Sequence, residues 1–285
     1  MDRSVVLGGA IVLGFASLAS IIIFFIGPLR GAVAISQIAT DGAVRAGELT
    51  LSPLGAELLL RPEPRVLAAV PSTEPDTLAQ VERMPGGVAL AVLQRGRRTE
   101  VLLSDGVVKA PQWSKDGRSI AFATQSASGT WVVSRAVTHG DRLDVGTGFN
   151  AFPTGTQRTI ALTEKGILLL SYADTPPVVL VESPVPVTET TPFTVSQDGQ
   201  RVAWVASADR SLQVFRNENG FFVPILLTPS FASHSLVFSP DGRYLLSAYG
   251  DLETTTLTLV DLVSGAERVV GEAPGFIELH AWRYE

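Results

Sequence analysis

Phe238-Ser239-Pro240-Asp241-Gly242-Arg243-Tyr244-Leu245-Leu246-Ser247 reads as a tight hairpin: a large apolar residue, a serine, an Asp-Gly turn, two further positions and an apolar run. Glycine accepts positive φ without steric cost, and an aspartate before it can accept hydrogen bonds from nearby groups and hold the turn. The pattern recurs without gaps at Trp113-Ser114-Lys115-Asp116-Gly117 and Val195-Ser196-Gln197-Asp198-Gly199, and without the aspartate over residues 51–60. After the three complete copies come third apolar segments at 131–133, 212–215 and 257–260, the last followed by a fourth near 267–270. Gly199 and Gly242 lie one period of about 40 residues apart, and Gly117 and Gly199 about two. A degenerate copy fills the gap, with Phe152-Pro153 leading into 157–162. Another, turning at Pro85-Gly86-Gly87, precedes apolar runs at 88–93 and 99–103. Four short strands per repeat of about 40 residues is the pattern of a β-propeller blade.

The Trp-Ser-Lys-Asp-Gly, Val-Ser-Gln-Asp-Gly and Phe-Ser-Pro-Asp-Gly segments resemble the W-S-P-D-G repeat of the TolB-like, WD40-like β-propeller family, a repeat also found in the propeller domains of prolyl-oligopeptidase-type peptidases. The resemblance covers residues 47–285. It implies an all-β propeller and, from the TolB-like members, an envelope component that binds other proteins. Division of this length by the blade period gives six blades. A five-bladed ring with 49–70 packed outside it is the alternative. Residues 277–284 sit where the innermost strand of another blade would begin, and the chain ends there. Strands from 49–70 would complete that blade and remove the open sheet edges.

Residues 5–27 contain no charge, enough apolar length to cross a hydrocarbon layer of about 30 Å as a helix. The expectation is a transmembrane signal anchor over 1–29, then a tether or short packed segment over 30–46. A cleaved signal peptide is the alternative, with Ala32-Val33-Ala34 as its small-x-small site, although the run exceeds the usual ~7–15 apolar residues and Arg30 intervenes. Either reading sends the propeller out of the cytoplasm, to the periplasm or cell surface. Flanking charge argues weakly about orientation, because Arg3 is offset by Asp2 and Arg30 lies on the other side. The absence of cysteine excludes disulfides, zinc–thiolate sites, iron–sulfur clusters and cysteine nucleophiles. A net charge of −6 without a basic cluster argues against a nucleic-acid partner.

A search for chemistry finds no catalytic, cofactor-binding or metal-binding set. His139, His234 and His280 have no ligand spacing, and Asp141, Asp144 and Asn150 do not match a calcium loop. No G-x-S-x-G elbow or P-loop is present, and Asp116, Asp198 and Asp241 read as turn-formers. Trp113, Trp131, Trp204 and Trp282 are expected to pack between blades. The protein-contact candidates are Phe221 and Phe222, exposed after the Asn219-Gly220 turn, and His234, which precedes an inner strand and could face the channel. The expected function is a non-catalytic, membrane-anchored module that binds an envelope or membrane protein. Alternatives are an accessory subunit of a larger membrane complex, a lyase or hydrolase at the channel mouth, and a small-ligand sensor.

Overall fold

A computed structural model describes residues 31–52, 55–60, 65–138, 141–154, 158–171, 176–183, 186–206, 210–228 and 232–283. The expected anchor therefore lies outside the described residues. Among those described, no helix is long and apolar enough to cross a membrane.

The chain opens with β1 (Gly31–Ile38), β2 (Val44–Ser52) and β3 (Gly55–Leu60). Blade I follows with β4 (Val66–Pro71), β5 (Thr77–Met84), β6 (Gly87–Gln94) and β7 (Arg97–Ser104). Blade II holds β8 (Gln112–Trp113), β9 (Ser119–Gln125), β10 (Trp131–Val137) and β11 (Arg142–Thr147). Blade III holds β12 (Asn150–Thr154), β13 (Arg158–Thr163), β14 (Gly166–Ser171) and β15 (Val178–Glu182). Blade IV holds β16 (Phe193–Val195), β17 (Arg201–Val205), β18 (Leu212–Glu218) and β19 (Phe221–Thr228). Blade V holds β20 (Ser235–Phe238), β21 (Tyr244–Gly250), β22 (Thr254–Asp261) and β23 (Glu267–Pro274). The last strand, β24 (Phe276–Arg283), joins the first three in the order β24-β1-β2-β3, so blade VI is built from both ends of the chain. Six antiparallel four-stranded sheets result among the described residues.

Blade strands read as continuous apolar runs because both faces of each sheet are buried against neighbouring blades. Side chains alternate between the faces. In β9, Ile120 and Phe122 enter the cluster shared with blade I, while Ala121 enters the cluster shared with blade III. In β17, Val202 and Trp204 pack toward blade III, and Ala203 and Val205 toward blade V. Every blade-to-blade interface has its own apolar cluster.

The repeated serine and aspartate form one device three times. Ser114, Ser196 and Ser239 are buried, and each donates its hydroxyl to the following aspartate at 2.6 Å. The same Oγ accepts the amide of Ser119, Arg201 or Tyr244, the second residue after the Asp-Gly pair. The aspartate accepts a second amide, from Arg118, Gln200 or Arg243. Gly199 has φ +70°, a value that favours glycine.

Two proposed repeat copies occupy different places. Residues 51–60 span the β2–β3 connection, between the third and fourth strands of blade VI, whereas the complete motifs join first and second strands. Pro85-Gly86-Gly87 turns between β5 and β6, the second and third strands of blade I. Glycine turns are needed at several hairpins of a blade, so glycine alone does not mark the register. The segment read as a tether or packed segment is packed: Gly31–Ile38 is β1, with seven pairs to β24 from Ala32↔Arg283 to Ile38↔Phe276. The closing blade thus begins earlier than the expected 49–70, and β4 belongs to blade I.

A candidate site in the central channel

The first strands β24, β4, β8, β12, β16 and β20 surround the axis and run the same way. Their turns into the second strands, with the third-to-fourth turns, make one side of the disc, called here the hairpin face. The blade-to-blade connections make the other, the crossover face.

The crossover mouth opens on a cavity of about 540 Å³ lined in part by Lys109, Trp131, Glu189, His234, Glu278 and His280. Lys109 is placed by the connection from β7 to β8. Its amide donates to the Ala123 carbonyl at 3.0 Å, and Val108 bridges Thr124. Its Nζ donates to the backbone carbonyl of Glu189 and stands 5.2 Å from the centre of the Trp131 ring, within cation–π range. Burial lowers the Lys109 pKa, and Glu278 and Glu189 oppose that shift. Glu278 is open to the cavity yet ringed by protein. That desolvation raises its pKa, against the pull of Lys109.

Both channel histidines are held by partners. His234 donates Nε2–H to the Ile277 carbonyl at 2.8 Å and stacks on Phe276 at 3.8 Å, 19° from parallel. Burial lowers its pKa, partly offset by that bond. His280 lies 2.7 Å from Ser36 Oγ through Nε2, and the Ser36 hydroxyl donates to the Leu67 carbonyl at 2.6 Å. The serine proton is therefore committed, and the imidazole is the donor to Ser36. Full burial depresses the His280 pKa to about 4. Both rings are neutral at pH 7. The mouth thus offers one partly desolvated ammonium, carboxylates and aromatic surface, a set suited to recognising polar and aromatic groups.

At the hairpin face lie a cavity of about 120 Å³ lined by Trp113, Phe152, Gln197, Trp282 and Arg283 among others, and beside it a groove of about 800 Å³ that shares Gln197, Trp282 and Arg283. Trp113 also donates Nε1–H to Val70 O at 2.8 Å, tying blade II to blade I.

The three contact candidates are not brought together. His234 lines the crossover mouth. Phe221 begins β19 at the rim of the hairpin face and is 76% exposed. Phe222 is half-buried against the cluster of Trp204 and Phe193. His139 lies outside the described residues. Asp144 accepts from Ser134 Oγ at 2.5 Å and pairs with Arg142, and no group of three potential metal ligands occurs among the described residues. Sequence reasoning passed over Lys109 and Glu278. The available signal was that Lys109 is one of three lysines, with Lys115 and Lys165, in a chain whose other cations are arginines.

No protein-family model matches the chain, and no curated protein matches it. Solved structures do. TolB from Acinetobacter baumannii aligns over 90% of this chain and 67% of its own, at 17% identity, with a TM-score of 0.69. The fold is that of a TolB-like six-bladed β-propeller. A nidogen/laminin complex aligns with the same propeller at TM-score 0.59, 11% identity, over 88% of this chain and 97% of the other. An oligogalacturonate lyase in complex with manganese gives 0.56 and 11%, over 83% and 73%. At these identities the likeness is one of fold, and this TolB-like propeller shares its frame with binding proteins and enzymes alike.

Proposed function

We propose that the chain is a membrane-anchored, extracytoplasmic propeller that binds a protein partner at the crossover mouth and catalyses no reaction. The observation that carries this is the state of the mouth's ionisable groups. His234 and His280 are neutral and hydrogen-bonded within the ring, and Lys109 is bonded to the Glu189 backbone. A pre-organised polar and aromatic cleft on a rigid disc suits recognition.

The anchor reading has its own support. Ala32-Val33-Ala34 is not a free linker: it is buried inside β1 and paired on both sides. Cleavage after Ala34 would remove half of β1, including Val33, which is fully buried. Retention of residues 5–27 keeps that strand whole.

The test is affinity capture of the full-length chain from mild detergent. A partner in stoichiometric amount that is lost from Thr190→Arg, which sets a charge among the residues lining the mouth, and kept by Phe221→Ser is expected. Its absence, or its indifference to Thr190→Arg, refutes the reading. For the anchor, a phosphatase fused after Glu285 should be active and the chain should resist alkaline extraction.

A further inference from the structure

We propose that the hairpin face lies against the lipid surface, its apolar rim side chains set in the interface, so that the crossover mouth opens away from the membrane. This rests on the anchor reading above and adds to it a side, an orientation and a set of contact residues.

The first observation is where the chain enters the disc. Gly31 pairs with Leu51 at the hairpin-face end of β1, and a Cβ on Gly31 would run into the carbonyl of Arg283. Arg283 and Trp282 line the channel mouth of that face. The apolar segment therefore joins the disc beside its axis. The second observation is reach. Only Pro28, Leu29 and Arg30 separate the apolar run from Gly31. Three residues span at most about 10 Å, so the disc cannot turn its far side to the bilayer.

The third observation is the chemistry of the rim. Four successive blades present large apolar side chains to solvent at the hairpin face. They are Val137 and Leu143 in blade II, Val178 in blade III, Phe221 in blade IV and Val263 in blade V, the last 80% exposed in the turn between β22 and β23. Exposed arginines stand nearby, including Arg118 and Arg243, beside the turn carboxylates Asp116, Asp198 and Asp241. Exposed carboxylates and apolar side chains also stand on the crossover face, among them Glu164, Asp251, Leu227 and Leu252, so the choice of face is made by the entry point and the reach. Apolar side chains with interspersed cations suit the headgroup boundary. An apolar rim on the side from which the anchor leaves is thus accounted for by one occupant, the bilayer.

The absence of cysteine makes the test direct. Full-length chains carrying Phe221→Cys, Val263→Cys, Glu189→Cys or Leu252→Cys are labelled with an environment-sensitive fluorophore and reconstituted into vesicles of zwitterionic and anionic phospholipid. Labels at 221 and 263 should shift to the blue and be quenched by headgroup-labelled lipid. Labels at 189 and 252 should behave as in detergent-free buffer. Chains that fail to float with the vesicles refute the anchor, and this orientation with it. Chains that float while the labels at 221 and 263 remain aqueous, or while all four labels are quenched alike, overturn the orientation and leave the anchor standing.

Discussion

Truncation after Glu278 removes residues 279–283, the larger part of β24, and is expected to open the ring. Leu279 and Trp282 are almost fully buried in the cluster shared by blades V and VI. Loss of each should cost about 2–3 kcal/mol in burial alone, about 5 kcal/mol together. The backbone adds to this: Ala32, Val33, Ala34 and Ile35 lose their pairs with Arg283, Trp282, Ala281 and Leu279. Leu279 N–H also donates to Ser235 Oγ at 2.8 Å, and Arg283 pairs with Glu48 at 3.0 Å. Five kcal/mol is a large part of the ~5–15 kcal/mol that holds a typical domain together. In a domain of this size each kcal/mol moves the midpoint by roughly 2–4 °C, so Tm should fall by about 10–20 °C or the transition should lose cooperativity. Circular dichroism melts of the full-length and truncated chains in the same detergent measure it. A truncated chain melting within about 3 °C of the parent would refute ring closure by β24 as a main source of stability.

Two further predictions concern the channel and the hairpins. His280 has a folded pKa of about 4 against the ordinary 6.5, so its contribution is complete above pH 6.5 and is lost as pH falls toward 4, on the order of 3 kcal/mol. Urea midpoints should decline over that window and decline less in His280→Gln; equal slopes would refute the assignment. Asp241→Ala removes the acceptor for the buried Ser239 hydroxyl and the Arg243 amide and should cost about 1–2 kcal/mol, with Asp241→Asn in between. An unchanged urea midpoint would show that the aspartate does not hold the turn.

The three complete Ser-x-Asp-Gly hairpins were readable because their chemistry is local: serine, aspartate and the amides they bind lie within six residues. Closure at Trp282 was readable because the repeat breaks off after an inner strand. The register of residues 51–60 and 85–87 was not. A glycine turn looks the same between any two strands, and only the buried serine that receives an amide after the turn distinguishes the inner hairpin. β1 was missed as a strand because Gly31–Ile38 stands next to an apolar run and has no turn motif before it. The channel site was hidden for a different reason. Lys109, Trp131, Glu189 and Glu278 come from connections and strands of four blades, and no spacing in the sequence links them. His234 could be placed because its position before an inner strand is itself a repeat property.

Blade VI joins the first described strand, β1, to the last, β24. β1 leaves the ribosome some 240 residues before β24, which at about 5–20 residues per second is an interval of roughly 12–50 s. Throughout that time β1 has an unpaired edge on the side that β24 will fill, and such an edge invites pairing with other chains. The domain therefore acquires its final form only once β24 has emerged. A chaperone that shields the β1 edge would act within that interval.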